Sequence, residues 1–469
     1  LAKISVASFQ WEMEAALFVY DFFSIRYEKR YKVNGVNNQR EHVMVKLPKT
    51  QIGGGFMRDF GQLPYRFGIK VRIYPSDRQK QLIKRNAEAY RFVYNEHHAI
   101  QQRLEHLHQI KHPPTKVHTL IQYLTKSLDY QRMALNHPFL TDSRIDAHVR
   151  LQAIIDYHNR QTAYVLGRAK RPHFIRKSYT WRYQLACQYH HRSHGSLRNG
   201  SIAFTDAHHV TLPIIGRLRV AGSQHRLLNR ETPIQINLVT LTKDAINHYY
   251  LSLQLSSPAP FVQHLDAQPH PVGIDLNTAN FLTTSTGRTV ASPHFNRRLS
   301  SRFRRAVRRL NLQRHLAQKE RRPLRTAKNY QKQRQCVAKL LIKLHQQREN
   351  FLQQLSTQII RHHDVVVAEE LRGQDTARNY AMSWRFRDPG WISLLSMLHY
   401  KAQLYGRTFI TVDPVSTTQT CSHCGYVLHG QQKLTCRERT WWCPHCLTFH
   451  RRDQNAAQNI LNRGLLCLA

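Results

Sequence analysis

The chain has 469 residues, with 70 Lys or Arg against 29 Asp or Glu and a formal net charge of +41 at pH 7. Such an excess opposes compaction unless a polyanion neutralises it, so nucleic acid is the leading partner on composition, ahead of an anionic membrane surface. Hydrophobic residues at 41% supply material for real cores and exclude wholesale disorder, and a chain this long is expected to form several domains. The mean hydropathy is −0.55. The most apolar early segment, Ala15 to Tyr20, is closed by Glu14 and Asp21, too short to span a bilayer.

In chain order, residues 1–64 carry the weakest pattern. Tyr and Phe mix with a basic run from Arg26 to Lys49, followed by Gly53-Gly54-Gly55, and the first residue is Leu rather than Met. An upstream extension and a folded module are both open readings there. From Arg66 the pattern sharpens. Phe67, Ile69, Val71 and Ile73 alternate with Arg66, Gly68, Lys70 and Arg72, predicting a half-buried strand with a basic outer face that Pro75 ends. Ser76 with Gln79 forms a capping box, and Leu82, Ile83, Ala87, Tyr90, Val93 and Tyr94 continue at helical spacing. Helical patterns run to about 165, broken at Pro113-Pro114 and recapped near Thr141-Asp142-Ser143. Short strands are expected at His173 to Ile175, Thr180 to Tyr183, Val210 to Leu212 and Gly216 to Val220, then across 236–255. The whole reads as a helical block inserted into a β-rich domain.

Between Arg297 and Arg348 stand 18 Lys or Arg, with Pro323 dividing two long helices. A charge run is usually a solvated face, but one of nearly a single sign suits a phosphate-tracking surface. Arg297, Arg298, Arg302, Arg304, Arg305, Arg308 and Arg309 are the candidate nucleic-acid contacts.

Acids are scarce, and three end or follow ordered segments. Asp275 closes Val272-Gly-Ile-Asp275, ahead of a second strand and a hairpin turn at Gly287. Glu369 closes the apolar Val365 to Ala368. Asp453 opens a helix at Arg452-Asp-Gln-Asn455. Singly, Asp275 could cap a turn, Glu369 could pair with an Arg, and Asp453 could cap its helix. Converging, the three would offer hard oxygen ligands to divalent cations, Mg²⁺ being the natural choice, and two such ions can cleave a phosphodiester. The order strand–Asp–strand, strand–Glu, helix–Asp suits an RNase H-like nuclease core.

Eight cysteines occur, four of them in Cys421-Ser-His-Cys424 and Cys443-Pro-His-Cys446, separated by 18 residues. That spacing fits a structural zinc ribbon with a complete tetrahedral ligand set and no open position, and Gly425 supplies the backbone freedom of the knuckle. Two disulfides are the alternative and need an oxidising compartment. Cys436 reads as a bystander, and Cys187, Cys336 and Cys467 as buried or free thiols.

Together Gly273-Ile-Asp-Leu276, Val367-Ala-Glu-Glu-Leu371, both cysteine pairs and Arg452-Asp-Gln-Asn-Ala-Ala-Gln-Asn-Ile460 resemble TnpB, the family of transposon-encoded RNA-guided nucleases related to miniature type V CRISPR effectors. Arg91-Phe-Val-Tyr-Asn95, Arg171-Pro-His-Phe174, Leu212 to Leu218 and Trp391 to Ala402 extend the likeness over about 66–465. The resemblance implies a multidomain α+β protein. A β-barrel wedge domain would occupy 65–75 and 170–265, with a helical recognition domain inserted at 76–169. A RuvC-like core would occupy 270–414 and 450–469, interrupted at 415–449 by a zinc-ribbon target-nucleic-acid-binding module. It implies a guide RNA from the transposon end and a double-stranded DNA target read beside a short motif. It also implies structural Zn²⁺ on Cys421, Cys424, Cys443 and Cys446, and Mg²⁺ on the triad Asp275, Glu369 and Asp453. A cytoplasmic, nucleoid-associated prokaryotic monomer without membrane contact follows from the same likeness. A nuclease-dead, RNA-guided repressor and a miniature CRISPR effector are the alternatives. Two departures stand out: Asn277 where the family has Gly, expected to tolerate a left-handed backbone, and Arg451 where it often has Asp. The 30 His residues find no explanation beyond a reserve of positive charge at low pH.

Overall fold

The computed structural model describes residues 63–189, 195–222, 224–266, 270–277, 279–293, 295–371, 390–435 and 437–468. Residues 1–62 and Cys436, singled out above, lie outside the described residues, as do the side chains of Arg297 and Arg298. The chain divides into two compact units between Phe261 and Val262. Among the described residues, no helix is long and apolar enough to cross a membrane.

The first unit begins with β1 (Tyr65–Tyr74), whose exposure alternates as the sequence pattern requires. Ser76 then caps α1 (Asp77–His108) through the expected reciprocal box, its hydroxyl accepting from the Gln79 N–H while Gln79 accepts from the Ser76 N–H. Helices α2 (Thr115–Ser127), α3 (Tyr130–Asn136) and α4 (Ala147–Val165) follow. The cap of α4 is Asp146, four residues beyond the expected position, because Asp142 is engaged by Arg85 (2.7 Å) and Arg144 (2.9 Å).

A seven-stranded antiparallel sheet completes the unit in the order β2-β6-β7-β1-β5-β4-β3. Its other strands are β2 (Trp181–Ala186), β3 (Ala203–Asp206), β4 (His209–Leu212), β5 (Gly216–Ala221), β6 (Gln235–Lys243) and β7 (Tyr249–Ser257). Among the described residues no ladder pairs β2 with β3, so the sheet fits the expected barrel as a half-barrel. The strand expected at His173 to Ile175 is absent. That segment is irregular, and Asn95 of α1 pins Ile175 by donating to its carbonyl (3.0 Å) and accepting from its N–H (2.7 Å).

The second unit is a five-stranded mixed sheet of order β10-β9-β8-β11-β12. Here β8 is Val272–Asp275, β9 Leu282–Thr284, β10 Thr289–Val290, β11 Val365–Glu369 and β12 Thr408–Val412. The pairs β8–β11 and β11–β12 are parallel, whereas β8–β9 and β9–β10 are antiparallel, the latter turning at Gly287 with φ 84°. Burial on both faces explains why β8 and β11 read as apolar runs. Alternation sorts their residues. Val272, Ile274, Val366 and Ala368 share a core with α6 (Lys328–His362) and α7 (Trp391–Tyr405), while Val367 packs with Ile460 and Leu461 of α8 (Arg452–Leu466). Helix α5 (Phe295–Lys319) pairs with α6 through Leu310, Ala317, Tyr330 and Val337.

Helix α8 lies unusually close to the sheet. A methyl group on Gly273 would overlap the Ala457 carbonyl oxygen and sit 2.8 Å from the Leu461 nitrogen, and one on Gly464 would overlap Val367. Gly273→Ala is therefore expected to destabilise the second unit by about 3 kcal/mol. Hydrogen exchange would read this as faster exchange of β8 and β11 amides with those of β1 and β7 unaffected. Equal protection throughout would mean that α8 shifts without cost.

Candidate active site and cysteine cluster

Because side chains alternate along a strand, Asp275 shares the face of Gly273, and Glu369 shares that of Val367. Both acids thus lie on the side covered by α8, one register step past the Ala368–Ile274 pair. Asp453 stands in the first turn of α8, so one helix-on-sheet contact gathers all three sequence-predicted acids. Asp275 is only 5% exposed. Burial first, and the charge of Glu369 second, push its carboxyl up to about 7, with Asp453 adding to the shift. The Asn277 side chain partly opposes this by donating to Asp275 Oδ2 (3.0 Å). Asn277 is not among the residues with positive φ. Its place in the turn comes from side-chain bonds, to Thr283 Oγ1 (3.1 Å) and from the Asn280 N–H (2.9 Å), and not from a left-handed backbone.

Burial also raises the Glu369 carboxyl above its ordinary range, against the lowering effects of Thr417 and Arg463. The Thr417 hydroxyl donates directly to Glu369 Oε1. Asp453 instead faces two guanidinium groups. Arg452 donates to its Oδ1 (3.1 Å), and Arg439 donates to its Oδ2 (3.2 Å). The neighbouring Glu370 has its N–H bonded to the Val412 carbonyl.

The four cysteines converge. Cys421, Cys424, Cys443 and Cys446 are, among the described residues, the one group of three or more potential ligands lying within 4.8 Å of one another. The three carboxylates face one another more loosely than that. Gly425 takes φ 79° in the first knuckle, as its position predicted, and Leu447 takes φ 56° in the second. Between them β13 (Thr440–Trp442) and β14 (Phe449–Arg451) form a hairpin. Its inner face buries Trp441 and His450, and His450 Nε2 lies 3.0 Å from Cys421 Sγ. The Thr448 hydroxyl, 3.2 Å away, holds the Cys446 thiol down at about 6. Four soft sulfur donors, with no carboxylate among them, fit a tetrahedral ion such as Zn²⁺.

Sequence reasoning missed the residues that join the two sites. Asn455 donates to the Thr420 carbonyl (2.7 Å) and accepts from the Ser422 N–H (2.9 Å). Asn459 donates to the carbonyls of Thr417 (2.9 Å) and Thr420 (2.6 Å). The signal was the i, i+4 spacing of two asparagines on one helix face. Of the candidate basic contacts, Arg302, Arg304, Arg305, Arg308 and Arg309 are exposed along α5.

Three family models match separate segments. One described as "Cas12f1-like, TNB domain" matches residues 391–460, one described as "Probable transposase" (OrfB_IS605) matches 260–379, and one described as "Helix-turn-helix domain" matches 66–108. In this structure the last stretch is β1 followed by a single 32-residue helix. A Streptomyces pristinaespiralis protein named "Putative RNA-guided DNA endonuclease" is 27% identical over 86% of this chain and 90% of its own length. The Escherichia coli K12 protein "Putative RNA-guided DNA endonuclease InsQ" is 25% identical over 55% of this chain and 63% of its own. Among solved structures, that of a Cas12f1–sgRNA–target DNA complex superposes with a TM-score of 0.51 at 15% identity, covering 85% of this chain and 99% of the other, a likeness of fold.

The elevated proton affinity of Asp275 has a measurable consequence for the metal-free protein. Its folded-state value of about 7 lies above the ordinary 3.8, so the folded state binds the extra proton and stability falls as pH rises between those values. Asp275→Asn is expected to raise the melting temperature most above pH 7, with the gain shrinking toward pH 5. A gain of equal size at both ends would show that Asp275 is not the group responsible.

Proposed function

We propose that this chain, a member of the TnpB family, is an RNA-guided DNA endonuclease whose Asp275, Glu369 and Asp453 form a RuvC-type, Mg²⁺-dependent cleavage site. The observation that carries this reading is the gathering of three scarce acids, in a chain of net charge +41, on the one sheet face that α8 covers. The strand order β10-β9-β8-β11-β12, with a parallel β8–β11–β12 set, supports an RNase H-like core over 270–414 and 450–469. Strand β1 and the strands after residue 180 share one sheet, with α1–α4 between them in sequence, which supports a wedge domain at 65–75 and 170–265 and a recognition domain at 76–169. The cysteine quartet supports a zinc-ribbon target-binding module at 415–449.

In this mechanism Asp275, Glu369 and Asp453 supply hard oxygen ligands, and burial first and the neighbouring charge of Glu369 second raise the proton affinity of Asp275. Bound there, Mg²⁺ supplies Lewis acidity to a phosphodiester. Thr417 fixes the rotamer of Glu369, and Asn277 that of Asp275. Arg439 and Arg452 hold Asp453 and place positive charge where a phosphate would approach. Base pairing with a guide RNA would read the target sequence, while exposed arginines of α5 would follow the backbone.

Asp275→Ala, Glu369→Ala and Asp453→Ala are each expected to abolish cleavage and leave RNA binding intact. The experiment is to purify the chain expressed with its flanking DNA, sequence the bound RNA, and challenge the complex with a matching target beside randomised bases, with and without Mg²⁺. Cutting beside one enriched motif is the expected result. Guide-dependent binding without cutting would favour the repressor reading, and retained cutting by any single variant would remove that residue from the triad. Cys421→Ser should impair folding and target loading together, since metal binding at such a site is coupled to folding; full target binding by a zinc-free variant would contradict a structural role.

A further inference from the structure

Each of the two sheet acids has one oxygen already engaged. Asn277 Nδ2 donates to Asp275 Oδ2 (3.0 Å), and the Thr417 hydroxyl donates to Glu369 Oε1. Among the described residues, no hydrogen bond reaches Asp275 Oδ1 or Glu369 Oε2. Asp453 differs, with guanidinium donors on both of its oxygens.

The Asn277 amide has no freedom to turn. Its other N–H donates to Thr283 Oγ1 (3.1 Å), and its oxygen accepts from the Asn280 N–H (2.9 Å). A backbone N–H only donates, so the amide oxygen must face Asn280 and the nitrogen must face Asp275. Thr283 is 3% exposed and is the β8–β9 register partner of Asp275, so the two side chains share one face. The donor that claims Oδ2 is therefore fixed by the β8–β9 hairpin and not by the acid it meets. Glycine, the family residue at this position, has no side chain to supply that bond.

We propose that Asn277 selects the ion: by holding Asp275 Oδ2 it leaves Oδ1 alone for a cation, and so disfavours Ca²⁺ against Mg²⁺. This rests on the cation site proposed above and adds which ion that site prefers. The donors there are carboxylate oxygens, which suit either hard ion. The two ions differ in what they ask of a carboxylate. Ca²⁺ takes about six to eight oxygens in loose geometry and gains from a carboxylate that chelates through both. Mg²⁺ demands a near-octahedral shell, keeps several waters and is served by single oxygens. A carboxylate pinned at one oxygen can no longer turn both toward one ion. Thr417 imposes the same restriction on Glu369, so neither sheet acid is free to chelate. A purely structural part for Asn277, closing the turn after β8, would affect the two ions alike.

The test uses the full chain, zinc-loaded and freed of RNA at high salt so that nucleic acid takes up no cation. Bound Mn²⁺ is followed by electron paramagnetic resonance and displaced with Mg²⁺ or with Ca²⁺. Whatever Mn²⁺ an Asp275→Asn chain still binds is subtracted. Asn277→Gly is expected to lower the Ca²⁺ concentration needed for displacement, relative to Mg²⁺, about tenfold. Altered competition from protons at Asp275 acts on both ions and cancels in that ratio. Asn277→Asp keeps the shape and the acceptor facing Asn280 but cannot donate, and should move the ratio the same way even if the glycine variant fails to fold. Thr417→Val, uncharged and of like shape, should do so through Glu369. Equal weakening of both ions, or an unchanged ratio in the folded Asn277 variants, overturns the proposal and leaves the nuclease reading untouched. Absence of any Asp275-dependent Mn²⁺ in the unaltered chain instead removes the cation site itself, and this inference with it.

Discussion

The candidate site depends on how closely α8 can lie against β8. Gly273 has no side chain, and only for that reason can the backbone of α8 near Ala457 and Leu461 rest on the strand. The same contact fixes which acids meet. With Gly273 under the helix, the period of two puts Asp275 under it as well, and the parallel register brings Glu369 alongside. The first turn of α8 then delivers Asp453. A bulkier residue at 273 would lift the helix and separate its acid from the two on the sheet. The glycine thus sets how the three acids meet, although it has no chemistry of its own.

The cost of this gathering is electrostatic. Three carboxylates share one end of a sheet, and Asp275, the most buried, faces an amide and not a cation. The protein tolerates the arrangement because its other two acids are partly compensated, Glu369 by Thr417 and Arg463, and Asp453 by Arg439 and Arg452. Arg439 and Arg452 bond Asp453, while Asp275 feels only the more distant charge of Arg452, so the pocket is graded: its inner end is acidic, and its outer end carries guanidinium groups. A chain of high positive charge thereby keeps one small negative spot at the place where a divalent ion would be useful.

Much of this was readable from the sequence where local chemistry decides the outcome. The capping box at Ser76, the alternation of β1, the knuckle glycine at 425 and the two cysteine pairs were read correctly, because each is fixed by residues within a few positions. Errors arose where a distant partner decides. Asp142 looked like a helix cap, but Arg85 from another helix claims it and Asp146 takes the role. His173 to Ile175 looked like a strand, but Asn95 satisfies the backbone of Ile175 and leaves no ladder to join. Asn277 was read for its backbone, whereas its side chain does the work.

The asparagines of α8 give the cysteine module its mechanical meaning. Asn455 and Asn459 bond the backbone of Thr417, Thr420 and Ser422, while Thr417 bonds Glu369. The first knuckle is therefore tied at once to the helix bearing Asp453 and to the acid at the end of β11. A module joined only by its two chain crossings could swing without consequence for the carboxylates; one joined by buried amide bonds cannot, since each bond broken leaves polar groups unsatisfied. The sulfur cluster beside the hairpin and the acids at the sheet end are thus linked through one short set of hydrogen bonds, from α8 to the first knuckle and from Thr417 to Glu369.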